Sequence, residues 1–250
     1  MSRPIKIGLI AEGETELGAS IPYVKPEDGG KVIDREKEGA LHTLIRRELN
    51  SIELSDCEFV QRHPTLKERG SYKLRGGHSI LEPKYLAQVI IAWKPEEVDL
   101  IAIVVDADDV QIQRQQALER ALETIRANHL DENELPVIDR SVGGLAIRNF
   151  ETWLLADFEI LSKVLGEEIE QITDLENVEI TKNILEDVIT KSTYLAEDRS
   201  NQRPLKIRWK LAFEIDLAMI KSSCPIGYAA FINSLTTVVA KSIDSSYLKS

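Results

Sequence analysis

The chain has 250 residues, 43% of them hydrophobic, enough to bury one sizeable core, alone or with a smaller appended lobe, and this excludes disorder as its main state. With 42 acidic against 31 basic residues the formal net charge is -11, which excludes sequence-blind polyanion binding over the whole surface, so any nucleic-acid contact has to be local or metal-assisted. Cys57 and Cys224 lack zinc or CxxC spacing, no apolar stretch approaches the ~20 residues of a bilayer span, and "IKIGLIAEGE" turns acidic too soon for a signal peptide; a soluble, cytoplasmic protein with reduced thiols and no membrane contact is expected.

Ile5 to Ala11 read as an apolar strand that breaks into the polar loop "EGETE" at Gly13. The segment from Val24 to Arg35 carries Pro26, Gly29 and Gly30 and reads as loop, whereas Leu41, Leu44, Ile45 and Leu49 form a helical stripe. "CEFVQRH" predicts a short strand and "RHPTLKERGSYKLRGGH" a long basic loop. A helix begins near Pro83, with Leu86, Val89, Ile90 and Trp93 on one face, and the strand "DLIAIVVD" follows. Leu118, Ala121, Leu122 and Ile125 line a helix that ends around His129. "LPVIDRSVGG" supplies a strand and a Gly-Gly turn, and "NFETWLLADFEILSKVLG" a single helix with Asn149 as N-cap and Gly166 as stop. Strand-helix alternation, with central strands apolar almost throughout, predicts an α/β fold with a mostly parallel sheet covered by helices on both faces. The expected organisation is an α/β domain over 1–166 and a mainly helical C-terminal region over 167–250 packed on it.

In an open parallel sheet, ligands bind beyond the carboxyl ends of the strands. Two strands here end in acids: Glu12 and Glu16 follow the first, while Asp106, Asp108 and Asp109 follow the strand at 100–105. Neighbouring parallel strands lie about 4.8 Å apart, so these groups converge on one rim if the two strands are adjacent. Carboxylates crowded in this way repel one another, and a hard divalent ion, Mg²⁺ or Mn²⁺, relieves the repulsion. Local roles explain the same residues without a metal: Asp108 or Asp109 capping the helix that starts near Val110, and Glu14 and Glu16 as solvated loop charges.

"IGLIAEGETE" followed some ninety residues later by "IAIVVDADD" resembles the Toprim domain, the metal-binding core shared by topoisomerases, primases and OLD-type nucleases. "GLAIRNFETWLLAD" is similar to the E-x-W-L-L-A-D stretch of Toprim-like bacterial proteins often associated with defence against mobile elements, and "KIRWKLAFEIDLAMIKSSCP" is similar to their tails. The resemblance covers 5–16 and 100–109 by motif, 144–157 fairly specifically and about 206–231 loosely. It implies a Toprim-like fold, Glu12 as general acid or base or metal ligand, Asp106 and Asp108 as the metal-binding pair, and Glu151 as a further acid of the site. Asp109 is added as a metal-ligand candidate, and Glu16 and Glu151 as candidates for a second ion. The small turn residue common soon after the paired aspartates is absent here, since "DDVQIQ" runs straight into a helix. Taken alone, Glu151 also suits the first turn of its helix by macrodipole complementarity.

A nucleic-acid enzyme also needs cations for phosphates. Two acid-poor segments offer them: Arg62, Lys67, Arg69, Lys73 and Arg75 in the first, and Arg199, Arg203, Lys206, Arg208 and Lys210 in the second. Arg69, Lys73, Arg75, Arg203, Lys206, Arg208 and Lys210 are the phosphate-binding candidates. His42, His63, His78 and His129 show no metal spacing, and no Walker A lysine, GxGxxG or Ser-His-Asp order is present. Three functions stay open: Mg²⁺- or Mn²⁺-dependent phosphodiester hydrolysis of DNA or RNA; a haloacid-dehalogenase-like phosphatase with Asp106 as nucleophile and Asp108 as acid; and a non-catalytic metal- or nucleotide-binding subunit with a protein partner in a defence or toxin-antitoxin-like complex.

Overall fold

The apolar run that ends in Asp106 becomes an inner strand of a parallel sheet. The structure, a computed structural model, describes residues 4–18, 31–53, 56–60, 66–68, 71–73, 80–93, 98–128 and 140–247. The strands are β1 (Ile5–Ile10), β2 (Cys57–Phe59), β3 (Leu66–Glu68), β4 (Ser71–Lys73), β5 (Leu100–Asp106) and β6 (Ser141–Ala146). The helices are α1 (Glu14–Leu17), α2 (Ala40–Ser51), α3 (Pro83–Ala92), α4 (Gln111–Asn128), α5 (Glu151–Leu154), α6 (Phe158–Leu165), α7 (Thr181–Lys191), α8 (Arg203–Glu214), α9 (Leu217–Ser223) and α10 (Ala230–Tyr247).

The main sheet has the order β2-β1-β5-β6 with every pairing parallel, so β1 and β5, the two strands that end in acids, are adjacent. Both faces are covered, which is why the inner strands read as continuous apolar runs. Ile5, Ile7 and Leu9 of β1 and Leu100, Ala102 and Val104 of β5 point into one core, filled from α2, α5, α6, α7, α8 and α10. Ile10, Ile101, Ile103 and Val105 point into the other, closed by α3 and α4. The helices after residue 167 share the first core: α8 packs on α2, and α10 packs on β6. Among the described residues, no single helix is long and apolar enough to cross a membrane.

Five local readings are corrected by the structure. Gly143 and Gly144 lie inside β6 and not in a turn. A Cβ on Gly143 would press on Leu118 and Leu122 of α4, and one on Gly144 on Phe231 of α10, so the glycines let a helix approach each face of the strand. The helix expected over 149–166 is two helices, because the Asp157 carboxylate accepts from the amides of Ile160 and Asp216 and thereby caps α6. Asn149 caps neither; its Oδ1 accepts from the Thr181 hydroxyl, while Gly166, at φ 71°, closes α6 as expected. Part of the basic loop is an antiparallel hairpin, β3 with β4, which polar sequence without apolar alternation had concealed. The "EGETE" loop contains the short helix α1, with Glu16 and Leu17 buried.

Candidate metal and phosphate site

The register Ile10 with Ile103 places the carboxyl ends of β1 and β5 on the same edge. Glu12 lies two residues past β1, and Asp106 is the last residue of β5. The Asp106 amide donates to Glu12 Oε1 at 3.2 Å. Asp106 Oδ1 in turn accepts from the Phe150 amide at 2.9 Å, which ties in the loop after β6. That loop runs beside the one after β5, with the Ala107 amide bonded to the Ala146 carbonyl and the Asp108 amide to that of Arg148. Three successive strand ends therefore meet at one rim.

Glu16 reaches the same rim from α1. Its side chain folds back over Gly13, where a Cβ would stand 2.8 Å from Oε2, and that buried Oε2 has no hydrogen-bond partner. Burial, with the charges of Glu151 and Glu12 adding to it, pushes the Glu16 carboxyl up from 4.5 to about 7. Asp106 is driven well above the ordinary carboxylate range by burial first and then by Glu16, Glu12, Glu151 and Asp108. Glu151, in the first turn of α5, is buried with its Oε1 3.5 Å from Arg208 Nε; the other end of that buried guanidinium lies 3.7 Å from Glu186. Helix α8, which carries Arg208, is seated on α1 by a hydrogen bond from the Trp209 indole to the Thr15 carbonyl.

Asp108 and Asp109 sit differently. Asp108 adopts φ 48° and pairs with Arg114 at 2.9 Å, and Asp109 pairs with Arg148 at 3.1 Å. The site thus has an inner group of Glu12, Glu16, Asp106 and Glu151, and an outer pair held by arginines. All are hard oxygen donors, and the orphaned Glu16 Oε2 is an unused one, so the set fits Mg²⁺ or Mn²⁺ in kind. Among the described residues, no three such side chains are disposed to hold an ion as they stand, so an ion here would require rotation of side chains at the rim.

Most of the expected phosphate-binding cations have internal partners. Arg203 donates to the carbonyls of Ile189, Ser192, Tyr194 and Leu195. Lys206 pairs with Asp198, and Lys210 with Glu214. Lys73 lies in β4; Arg69 and Arg75 fall outside the described residues. Sequence reading passed over Arg114 and Arg148. The signal for Arg114 was present in the helical stripe Arg114, Leu118, Ala121, Ile125, which extends the inward face of α4 past the sheet edge. No family model, curated protein or solved structure matches the chain.

Proposed function

We propose that the protein is a Mg²⁺- or Mn²⁺-dependent phosphodiesterase acting on nucleic acid through a Toprim-like site. The observation that carries this reading is the Glu12 carboxylate seated on the Asp106 amide, with buried Glu16 and Glu151 charging the same small volume. Carboxyl groups from separate strand ends repel one another unless protonated or neutralised by a cation, and a divalent ion neutralises them most effectively. Asp106, Glu12 and Glu16 would hold the ion, with Glu151, steadied by Arg208, as the additional acid. When bound, such an ion polarises a phosphoryl oxygen and lowers the pKa of its water. Burial and neighbouring charge make Asp106 and Glu16 hold protons to higher pH than ordinary carboxyls, and a bound ion would displace those protons, so affinity should rise with pH. The motif resemblance to Toprim proteins runs the same way. The phosphatase reading needs the Asp108 carboxyl as an acid, and here it is ion-paired with Arg114.

The test is Mn²⁺-stimulated cleavage of DNA and RNA by the wild-type protein and by Asp106→Ala. Wild-type cleavage that stops in EDTA and falls roughly a hundredfold or more in the variant supports the assignment. Equal activity in both, or none in either, overturns it. Metal binding without turnover, together with a stable partner protein, would favour the non-catalytic subunit.

A further inference from the structure

A phosphodiester chain brings negative charge to a rim that is already negative, so cations have to stand beside the carboxylates. Arg203, Lys206 and Lys210 are engaged elsewhere, and Arg208 is buried behind Glu151. Arg114 and Arg148 are at the rim itself. The Arg148 carbonyl accepts from the Asp108 amide, two residues beyond Ala146, the register partner of Asp106. Its guanidinium contacts Asp109, whose side chain is 90% exposed. Arg114 comes from the first turn of α4 on the inward stripe, with its side chain only 12% exposed and its Nε shut from solvent without a hydrogen bond. It holds Asp108, which is 54% exposed. Two guanidiniums are thus held by Asp108 and Asp109, two and three residues past Asp106, and because these carboxylates face solvent, screening weakens each pair. Exchanging each carboxylate for a phosphate therefore costs little, and the guanidinium fork matches phosphate geometry as well as it matches carboxylate.

We infer that Arg114 and Arg148 form a phosphate clamp for a nucleic-acid strand at this rim, and that Asp108 and Asp109 hold these arginines in place in the absence of the strand. The inference deepens the nucleic-acid reading above and rests on it, but it concerns binding and not cleavage. The clamp supplies the two positive contacts and makes no use of the inner acids Glu12, Glu16, Asp106 and Glu151.

The experiment is binding of a short fluorescein-labelled oligothymidylate, followed by anisotropy across a salt series in Ca²⁺ and in EDTA. The proteins are wild type, Arg114→Gln/Arg148→Gln, Arg148→Gln alone, and Arg114→Lys/Arg148→Lys. Wild type is expected to bind. The double glutamine variant should lose on the order of tenfold in affinity per arginine, and its log-log salt slope should shrink by about 1.4, two contacts' worth for a single strand. The lysine pair, which keeps charge and loses the fork, should fall between. Mn²⁺ binding, measured by calorimetry, should survive in all of them. Arg148, at 24% exposed, is less enclosed than Arg114 at 12%, so Arg148→Gln reads the clamp even if the Arg114 variants fold poorly. No binding by wild type, or equal affinity and slope in wild type and Arg148→Gln, overturns the clamp. Because no step depends on turnover, a wild type that binds through these arginines yet cleaves nothing would sink the phosphodiesterase reading and leave the clamp standing.

Discussion

The amide of Asp106 donates to the carboxylate of Glu12 at 3.2 Å, joining the ends of two neighbouring parallel strands across 94 positions of sequence. The bond needs an acceptor oxygen but not a charge. Glu12→Gln keeps the oxygen, so its thermal midpoint should match wild type while its Mn²⁺ affinity falls about tenfold or more, as loss of one anionic ligand requires. Glu12→Ala leaves the partly buried amide without that partner and should cost roughly 1–3 kcal/mol in denaturant unfolding. Calorimetric Mn²⁺ titration of both variants separates the two effects. Unchanged affinity in Glu12→Gln would remove Glu12 from the metal set.

Glu16 makes the stability of the metal-free protein depend on pH. Its folded-state carboxyl is raised from 4.5 to about 7, so over that interval the folded chain keeps a proton that the unfolded chain has released. The stability this proton supports is fully present below about pH 4.5 and is lost as pH rises through about 7, on the order of 3 kcal/mol in all. Asp106 shifts in the same direction and adds to the slope. Glu16→Gln should therefore match wild type near pH 4.5 in EDTA and exceed it near pH 8, and saturating Mn²⁺ should flatten the wild-type profile. Parallel profiles in EDTA would show that Glu16 is not buried as a charge.

The sheet was legible in the sequence because burial on both faces imposes an unbroken apolar run, and β1 and β5 each carry one. Their acidic ends were legible for the same reason, since a strand's last residue is where the pattern changes. What the sequence did not reveal depends on contacts between distant positions. The break between α5 and α6 is made at Asp157, which caps Ile160 locally but is also held by the Asp216 amide, a contact present only in the folded chain. The placement of Gly143 and Gly144 inside a strand is set by Leu118, Leu122 and Phe231, none of which is near them in sequence. Arg114, despite its place on the α4 stripe, and Arg148 were passed over because lone arginines look like solvated surface, and basic density drew attention to Arg203, which instead binds main-chain carbonyls.

Glu151 and Arg208 form a buried pair at 3.5 Å in which Arg208 Nε makes no hydrogen bond. Such a pair stabilises weakly as a unit, whereas removing one partner strands the other charge. Arg208→Met should destabilise the chain by about 3 kcal/mol, and Glu151→Gln/Arg208→Met should recover a large part of that loss. Urea unfolding of the two singles and the double closes the cycle. Additive losses would mean that the two residues act independently and that Arg208 does not steady Glu151.

Gly144 lies on the face of β6 that receives α10, where a Cβ would stand 2.7 Å from Phe231 Cδ2 and 2.8 Å from Cγ. An aromatic ring stacked in a packed interior has little room to withdraw; Phe231 is itself buried and lies 6.2 Å, centroid to centroid, from Trp153. Gly144→Ala should cost about 1–3 kcal/mol through this overlap, with no polar group lost. Phe231→Leu removes the offending ring atoms at its own cost, so the double variant should be more stable than the sum of the two singles predicts, by roughly 0.5–3 kcal/mol. Chemical denaturation at fixed pH measures all four corners of the cycle. Since the loop after β6 carries Phe150, whose amide donates to Asp106, Gly144→Ala should also weaken Mn²⁺ binding in proportion to any shift of that loop; a variant that loses stability yet binds Mn²⁺ as wild type does would place the strain on the α10 side of the strand alone.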